Sequence, residues 1–225
     1  MTVIELKNIC KSYGNLQVLS DVSLSIGENE IITIVGPSGA GKTTLLQIAG
    51  TLDLPDSGEV LYDGTEITRL KDRKLSEFRN RNIGFIFQFH QLLPEFTAQE
   101  NVAMPALISG MSRRKAMTRA GELLDLLGLG ERLRHKPSEM SGGERQRTAI
   151  ARALVNDPQV VFADEPTGSL DSRNRDEIRA LISDLRDRLR QTFVIVTHDR
   201  TVSEIADRTV NMADGRIVVD QRLMS

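Results

Sequence analysis

Gly36-Pro37-Ser38-Gly39-Ala40-Gly41-Lys42-Thr43 fits the pattern G-x-x-x-x-G-K-[ST]. Its glycines let the backbone curl until successive N–H groups point at one anion. A helix starting near Lys42 directs its positive end at the same place. Lys42 can then reach the β- and γ-phosphates of a nucleotide, and the Thr43 hydroxyl can ligate magnesium. A second group, Val160-Val161-Phe162-Ala163-Asp164-Glu165, is an apolar run ending in two carboxylates. Neighbouring strand residues face opposite ways, so Asp164 and Glu165 are expected to do different jobs. Asp164 suits holding magnesium through water, and Glu165 suits polarising an attacking water. Taken alone, the pair is as readily a capping acid beside Pro166; a phosphate loop upstream favours the chemical role. A third group, Ser141-Gly142-Gly143-Glu144-Arg145-Gln146, places a serine and two glycines at a helix start, another end suited to an anion. One nucleotide has no evident need of two such ends from one chain. A head-to-tail pair of chains resolves this, because the second end can close on the γ-phosphate held by the other copy.

Such groups need a scaffold of buried strands alternating with helices. Ile31-Ile32-Thr33-Ile34-Val35 is a continuous β-branched run, as in a strand covered on both faces, and it leads into the phosphate loop. Residues 42–49 are helix-compatible. Residues 83–87, 159–163 and 193–196 read as further buried strands, and Val22, Leu24 and Ile26 alternate with serines as in a half-buried one. Asp63-Gly64 and Asp214-Gly215 mark hairpin turns. Between residues 97 and 135 the character turns helical. Ser112 is placed to cap a helix with Ala116, Ala120, Leu123, Leu124 and Leu127 on its apolar face, and Gly128 ends it. Residues 143–155 form another helix, and Ile178, Leu181, Ile182, Leu185 and Leu189 mark an amphipathic one. The pattern predicts an α/β fold with a mainly parallel sheet and an inserted helical subdomain.

Composition narrows the function classes. The chain carries 29 Lys and Arg against 31 Asp and Glu, a net charge of -2, so no basic field draws it to nucleic acid or an anionic membrane. Trp is absent and aromatics make up 4%, too few for a base-stacking platform along a strand of nucleic acid. The one cysteine, Cys10, allows no internal disulfide and reads as a small packed residue. The first residues have no signal-peptide pattern, and no apolar run approaches the roughly 20 residues that span a bilayer. Any membrane role is expected to come through a partner.

With these motifs in hand, the chain resembles the nucleotide-binding domains of ABC transporters over nearly its whole length. Gly36 to Thr43 matches the Walker A loop, Gln88 the Q-loop glutamine, and residues 141–146 the signature motif. Residues 160–165 match Walker B with its glutamate, Ser169-Leu170-Asp171 the D-loop, and His198 the switch histidine. Met140 stands where the family usually has Leu, a swap of similar volume. The resemblance implies a P-loop NTPase core with an N-terminal antiparallel β region. It implies a core of residues 1–88 and 156–225 and a helical subdomain of residues 89–155. It implies ATP and Mg2+ as ligands. Gly36, Pro37, Ser38, Gly39, Ala40, Gly41, Lys42, Thr43 and Thr44 would hold the nucleotide, and Ser141, Gly142 and Gly143 of a second copy would close on it. Thr43, Gln88 and Asp164 would serve the metal, while Glu165, His198 and Gln88 would serve catalysis. Tyr13 lies where the family stacks an aromatic ring on adenine, although a lone tyrosine at a strand end is often only packing.

Residues 87–102, Phe87-Gln88-Phe89-His90-Gln91-Leu92-Leu93-Pro94-Glu95-Phe96-Thr97-Ala98-Gln99-Glu100-Asn101-Val102, open the helical insert. This stretch is similar to that of the ATPases of lipoprotein-releasing systems, in the group that also holds macrolide-export and cell-division ATPases (the LolD/MacB/FtsE group). The resemblance implies a docking surface for permease subunits of the LolC/LolE kind near residues 88–102, to which Phe89, Leu92, Leu93, Phe96 and Val102 would contribute. It implies a peripheral protein on the cytoplasmic side of the bacterial inner membrane. A macrolide-type exporter and a transmembrane regulator of the cell-division type share the catalytic residues and stay open as readings. A soluble ATPase acting on DNA or ribosomes is disfavoured by the near-neutral charge and the lack of coiled-coil heptads.

Overall fold

The structure is a computed structural model that describes residues 1–222 and, at residue 200, the backbone only. In chain order it has strands β1 (Thr2–Tyr13), β2 (Leu16–Gly27) and β3 (Ile31–Val35), then helix α1 (Lys42–Ala49). Strands β4 (Ser57–Tyr62) and β5 (Thr65–Glu66), helix α2 (Asp72–Asn82) and strand β6 (Ile83–Phe87) follow. Helices α3 (Ala98–Ile108), α4 (Arg113–Leu126) and α5 (Gly142–Leu154) come next, then β7 (Val160–Asp164) and α6 (Ser172–Leu189). Strands β8 (Thr192–Val196), β9 (Arg208–Ala213) and β10 (Arg216–Arg222) complete the described chain. Two compact units are formed, one from residues 1–76 and 185 onward, the other from residues 77–184.

In the first unit β2, β1, β4 and β5 lie side by side as an antiparallel sheet. Val22, Leu24 and Ile26 are buried while Ser23 and Ser25 face out, the alternation expected of a sheet with one wet face. Asp63 and Gly64 both take positive φ, 47° and 73°, and turn β4 into β5. Asp214 and Gly215 do the same at 48° and 72° between β9 and β10, matching the twist of a two-residue hairpin. β3 runs parallel to β8 on one side and to β9 on the other, with Ile34 opposite Val196 and Val210. Ile31, Ile32, Thr33 and Ile34 are all buried, which explains the unbroken β-branched run. Asp207 fixes the start of β3: its Oδ2 accepts from the Ile31 N–H at 2.8 Å, and Arg186 Nη1 donates to both its oxygens at 2.6 and 2.8 Å. Buried Arg208 ties the hairpin to the antiparallel sheet, donating to Asp220 Oδ1 at 2.6 Å and to the Ser25 carbonyl at 2.7 Å.

In the second unit β6 and β7 are parallel, with Phe87 opposite Asp164, so both strands end level with each other. The Phe85 ring lies 5.7 Å from Phe87 and 5.8 Å from Phe162, a stacked group that keys the pair. Ala116, Ala120, Leu123 and Leu124 form the buried face of α4, as its spacing predicts. Ser112 occupies the N-cap position there, but its side chain makes no capping bond. Buried Asn101 on α3 shapes the segment before it. Its amide donates to the carbonyls of Leu93, Phe96 and Thr97 and accepts from the Leu93 N–H at 2.7 Å. Val102 departs from expectation: it is 0% exposed, so it belongs to the core and not to a docking surface. Leu189 departs the other way, lying exposed in the last turn of α6. Cys10 is only half-buried and its sulfur accepts from the Asp21 N–H.

Gly84 on β6 admits no side chain: a Cβ there would lie 2.5 Å from the Ala153 carbonyl oxygen on α5 and 3.1 Å from Val161 Cγ2. Gly84→Ala is expected to cost about 2 kcal/mol and to lower Tm by roughly 4–8 °C in a thermal melt.

Candidate active site

Each unit presents its own set of residues with chemical potential, and the geometry of each set is internal to its unit. In the first, β3 delivers the chain into the loop at residues 36–41 and α1 leaves from it. Gly41 takes φ +92° at the N-cap, a conformation open to glycine, and a Cβ there would lie 2.8 Å from both the Val18 carbonyl and Leu19 Cδ2. Glycine therefore meets a conformational and a spatial demand at once. Glycine at the cap offers α1 no side-chain acceptor from that position, and no acid lies in its first turn. Lys42 folds back over the loop, donating to the carbonyls of Gly36 and Pro37 at 2.9 Å each. Pro37, Ser38, Gly39 and Thr43 are exposed, Ala40 is buried, and Thr44 turns partly inward. His198 is exposed just past β8, which pairs with β3, so it leaves the sheet at the end that carries the loop.

Tyr13 stands in the same unit, 49% exposed at the end of β1. Its hydroxyl donates to Asp53 Oδ2 at 2.7 Å. Bonding to Asp53 raises the phenol's pKa. Lys11 donates to Asp53 Oδ1 at 2.9 Å and to the Leu54 carbonyl at 2.6 Å, and its ammonium lies 5.2 Å from the Tyr13 ring centroid.

In the second unit Gln88 and Glu165 leave β6 and β7 at the same end. Gln88 packs against the turn after β7: a Cβ on Gly168 would lie 3.0 Å from Gln88 Nε2, and Ser169 Oγ donates to the Gln88 carbonyl at 2.9 Å. Asp164 is the last residue of β7. Glu165 has already left the strand: its φ is +48°, and its carbonyl accepts from the Gly168 N–H at 3.0 Å. The two carboxylates are thus parted by a left-handed turn and not by strand alternation. That backbone is strained for a residue with a long side chain.

Ser141, Gly142 and Gly143 start α5 in the same unit. The Ser141 hydroxyl caps the helix by accepting from the Glu144 N–H at 3.2 Å, and Glu144 Oε2 accepts from the Ser141 N–H at 2.7 Å. That reciprocal pair leaves the hydroxyl proton for another acceptor. Gly143 is crowded by Asn174, whose Oδ1 occupies the space of a Cβ; Asn174 is itself held by Asp171 through Nδ2 at 2.8 Å. Met140 is buried and its carbonyl accepts from Arg145 at 2.7 Å.

Several contributors had no signal in the sequence. Buried Gln146 donates to the Pro166 carbonyl at 2.7 Å, fastening α5 to the turn that carries Glu165. Arg152 donates to the carbonyls of His90 at 2.8 Å and Gln91 at 2.6 Å, residues with φ of 58° and 49°. Burial and the charge of Arg145 lower the pKa of the His90 imidazole. Lys11 and Asp53 likewise lie outside every motif. They meet Tyr13 only in the folded chain.

Arg132 Nε donates to Glu144 at 2.8 Å and, with the Ser141 amide, holds its carboxyl at about 2. A carboxylate depressed in this way adds stability above its ordinary value and loses it as pH falls through about 2. Glu144→Gln is expected to cost about 1–2 kcal/mol at pH 7, the exposure of Arg132 having been allowed for. In denaturant titrations the gap from wild type should close between about pH 4.5 and 2.

Residues 19–168 match the ABC transporter family. The chain is 61% identical to the lipoprotein-releasing system ATP-binding protein LolD of Bacteroides thetaiotaomicron, over 97% of its own length and 100% of the relative's. It is 59% identical to the protein of the same description from Bacteroides fragilis, over 96% and 100%. Among solved structures it is similar to a bacterial ABC transporter cassette described as dimeric, with a TM-score of 0.89 and 40% identity over 99% of both chains. The same cassette in a post-hydrolysis state, bound to ADP and Pi, matches equally well. With a phosphate loop, a strand ending in carboxylates and a glycine-rich helix start on this fold, the chain belongs to the ABC transporter family, as one of its ATP-binding and ATP-hydrolysing subunits.

Proposed function

We propose that two copies of this chain sandwich Mg-ATP and use its hydrolysis to drive a permease that releases lipoproteins from the inner membrane. The motifs are common to ABC ATPases, so the observation that carries the lipoprotein reading is the likeness to LolD proteins over nearly the full length of both chains. A dimeric relative of the same fold supports the pairing.

In this reading the amides of residues 36–44 and the Lys42 ammonium hold the phosphates, and Tyr13 stacks on the base. Thr43, Gln88 and Asp164 offer hydroxyl, amide and carboxylate oxygens, the hard donors that suit magnesium. When bound, the ion neutralises charge on the phosphates. Glu165 accepts the proton of the attacking water and His198 orients it. Ser141, Gly142 and Gly143 of the second copy close on the γ-phosphate, with the Ser141 hydroxyl still able to donate. Gln88 belongs to both the metal site and the segment at residues 88–102, where permease subunits of the LolC/LolE kind dock. Phe89 at 76% exposed, with exposed Leu93 and Phe96, supplies apolar surface there. No described helix is long and apolar enough to cross a membrane, and in this reading the chain is peripheral, on the cytoplasmic face. Residues 1–88 and 156–225 act as the catalytic core and residues 89–155 as the lobe that follows the permease.

The test is tagged Glu165→Gln in membranes of the source cell. The variant is expected to bind ATP, to lose about 100-fold or more of its turnover, and to accumulate as a closed dimer by size-exclusion with Mg-ATP. Retained turnover removes Glu165 as the base. Pull-down of a permease pair with bound lipoproteins supports the lipoprotein reading. Recovery of a division-site partner instead overturns it and leaves the ATPase standing.

A further inference from the structure

The cluster around Tyr13 goes beyond a ring set at a strand end. Asp53 takes three donors: the Tyr13 hydroxyl at 2.7 Å, the Lys11 ammonium at 2.9 Å and the Leu54 N–H at 2.7 Å. Burial pushes its carboxyl up, but the bonds from Tyr13 and Lys11 outweigh that and hold it below its ordinary value. Asp53 stays a carboxylate and holds both partners by charge-assisted bonds. Lys11 is a mostly buried cation whose head is fixed by Asp53 and the Leu54 carbonyl.

The loop that supplies Asp53 is itself held. Thr51, a β-branched residue, has φ +61°, a conformation that costs energy and persists only when its surroundings impose it. The N–H groups of Leu52 and Asp53 both donate to the Gln47 carbonyl near the end of α1, at 2.8 and 3.3 Å. Asp56 Oδ2 accepts from the Ser12 N–H at 2.6 Å, pinning the far side of the loop to β1. A path of polar contacts therefore runs from the Gln47 carbonyl of α1 through Asp53 to Tyr13 and Lys11.

We propose that Asp53 and Lys11 are positioning residues for the nucleotide base: they fix the Tyr13 ring at a set place relative to the phosphate helix, so that a base stacks on it without the ring first having to be ordered. The inference rests on the reading of Tyr13 as the base platform. Half of the ring is in water, and an exposed side chain left free would lose rotamer freedom when a base settled on it. Anchoring the hydroxyl removes that loss before the nucleotide arrives. Lys11 beside the ring adds a cation–π contact and keeps Asp53 ionised.

The test compares ATP with inorganic tripolyphosphate, which carries the phosphates and no base. KM for ATP and the inhibition constant of tripolyphosphate are measured on the purified full chain and on Tyr13→Ala, Tyr13→Phe, Asp53→Asn and Lys11→Met. Tyr13→Ala is expected to raise KM for ATP about 10-fold, the worth of one base–aromatic stack, with tripolyphosphate inhibition unchanged. Tyr13→Phe, which keeps the ring and loses its anchor, and Asp53→Asn should each raise KM for ATP about 3- to 5-fold, again without effect on tripolyphosphate. Asp53→Asn should add nothing in the Tyr13→Ala background. If Asp53→Asn weakens ATP and tripolyphosphate alike, the loop is merely structural and the proposal is overturned. If Tyr13→Ala shifts ATP alone while Asp53→Asn, Lys11→Met and Tyr13→Phe change nothing, the brace is overturned and the platform stands. If Tyr13→Ala leaves KM for ATP unchanged, the platform reading fails and the brace falls with it.

Discussion

A helix start left without a side-chain cap is the constraint around which the first unit is built. The cap residue of α1 supplies no side-chain acceptor to the opening amides of the helix. Gly41 keeps the cap position bare, and Lys42 turns its charge onto the loop carbonyls. Two other helix starts contrast with it. α3 and α5 close theirs with reciprocal boxes, Thr97 with Glu100 and Ser141 with Glu144. A bare helix start of this kind, entered from a glycine-rich loop, is suited to an external anion.

The strands convert that local feature into a site. Parallel β3 and β8 bring the phosphate loop and His198 to one sheet end in the first unit. Parallel β6 and β7 do the same for Gln88 and Glu165 in the second. Open α/β sheets bind ligands beyond the carboxyl ends of their strands for this reason: the loops there converge while the strands behind them stay buried and stiff. Strain gathers at the same ends, with Glu165, His90 and Gln91 all in left-handed backbone. Gln146 and Arg152 fasten the backbone there, donating to the carbonyls of Pro166, His90 and Gln91, groups with no ladder of their own.

Much of this is legible in the residues. The β-branched run at 31–35, the alternation at 22–26, the two Asp-Gly turns and the apolar stripe of α4 each reflect a local rule of period or turn geometry, and the fold obeys them. Where local rules are silent the sequence misleads. The polar segment at 72–82 has no stripe to announce α2, whose one buried side chain is Leu75. Val102 reads as surface in an apolar stretch until α3 turns it inward. Ser112 looks like a cap and does not act as one, because a capping residue type does not by itself aim its oxygen at the next turn.

The sequence by itself determined the family and the chemistry, because a phosphate loop or a carboxylate at a strand end is a short run whose function needs only its own neighbours. Tertiary structure decided what holds those runs in place. Asp53 lies 40 residues from Tyr13, Arg152 lies 61 from Gln91, and Asn174 crowds Gly143 across the intervening strand β7. No periodicity relates such pairs, since side chains far apart along the chain meet only after the strands and helices between them have packed.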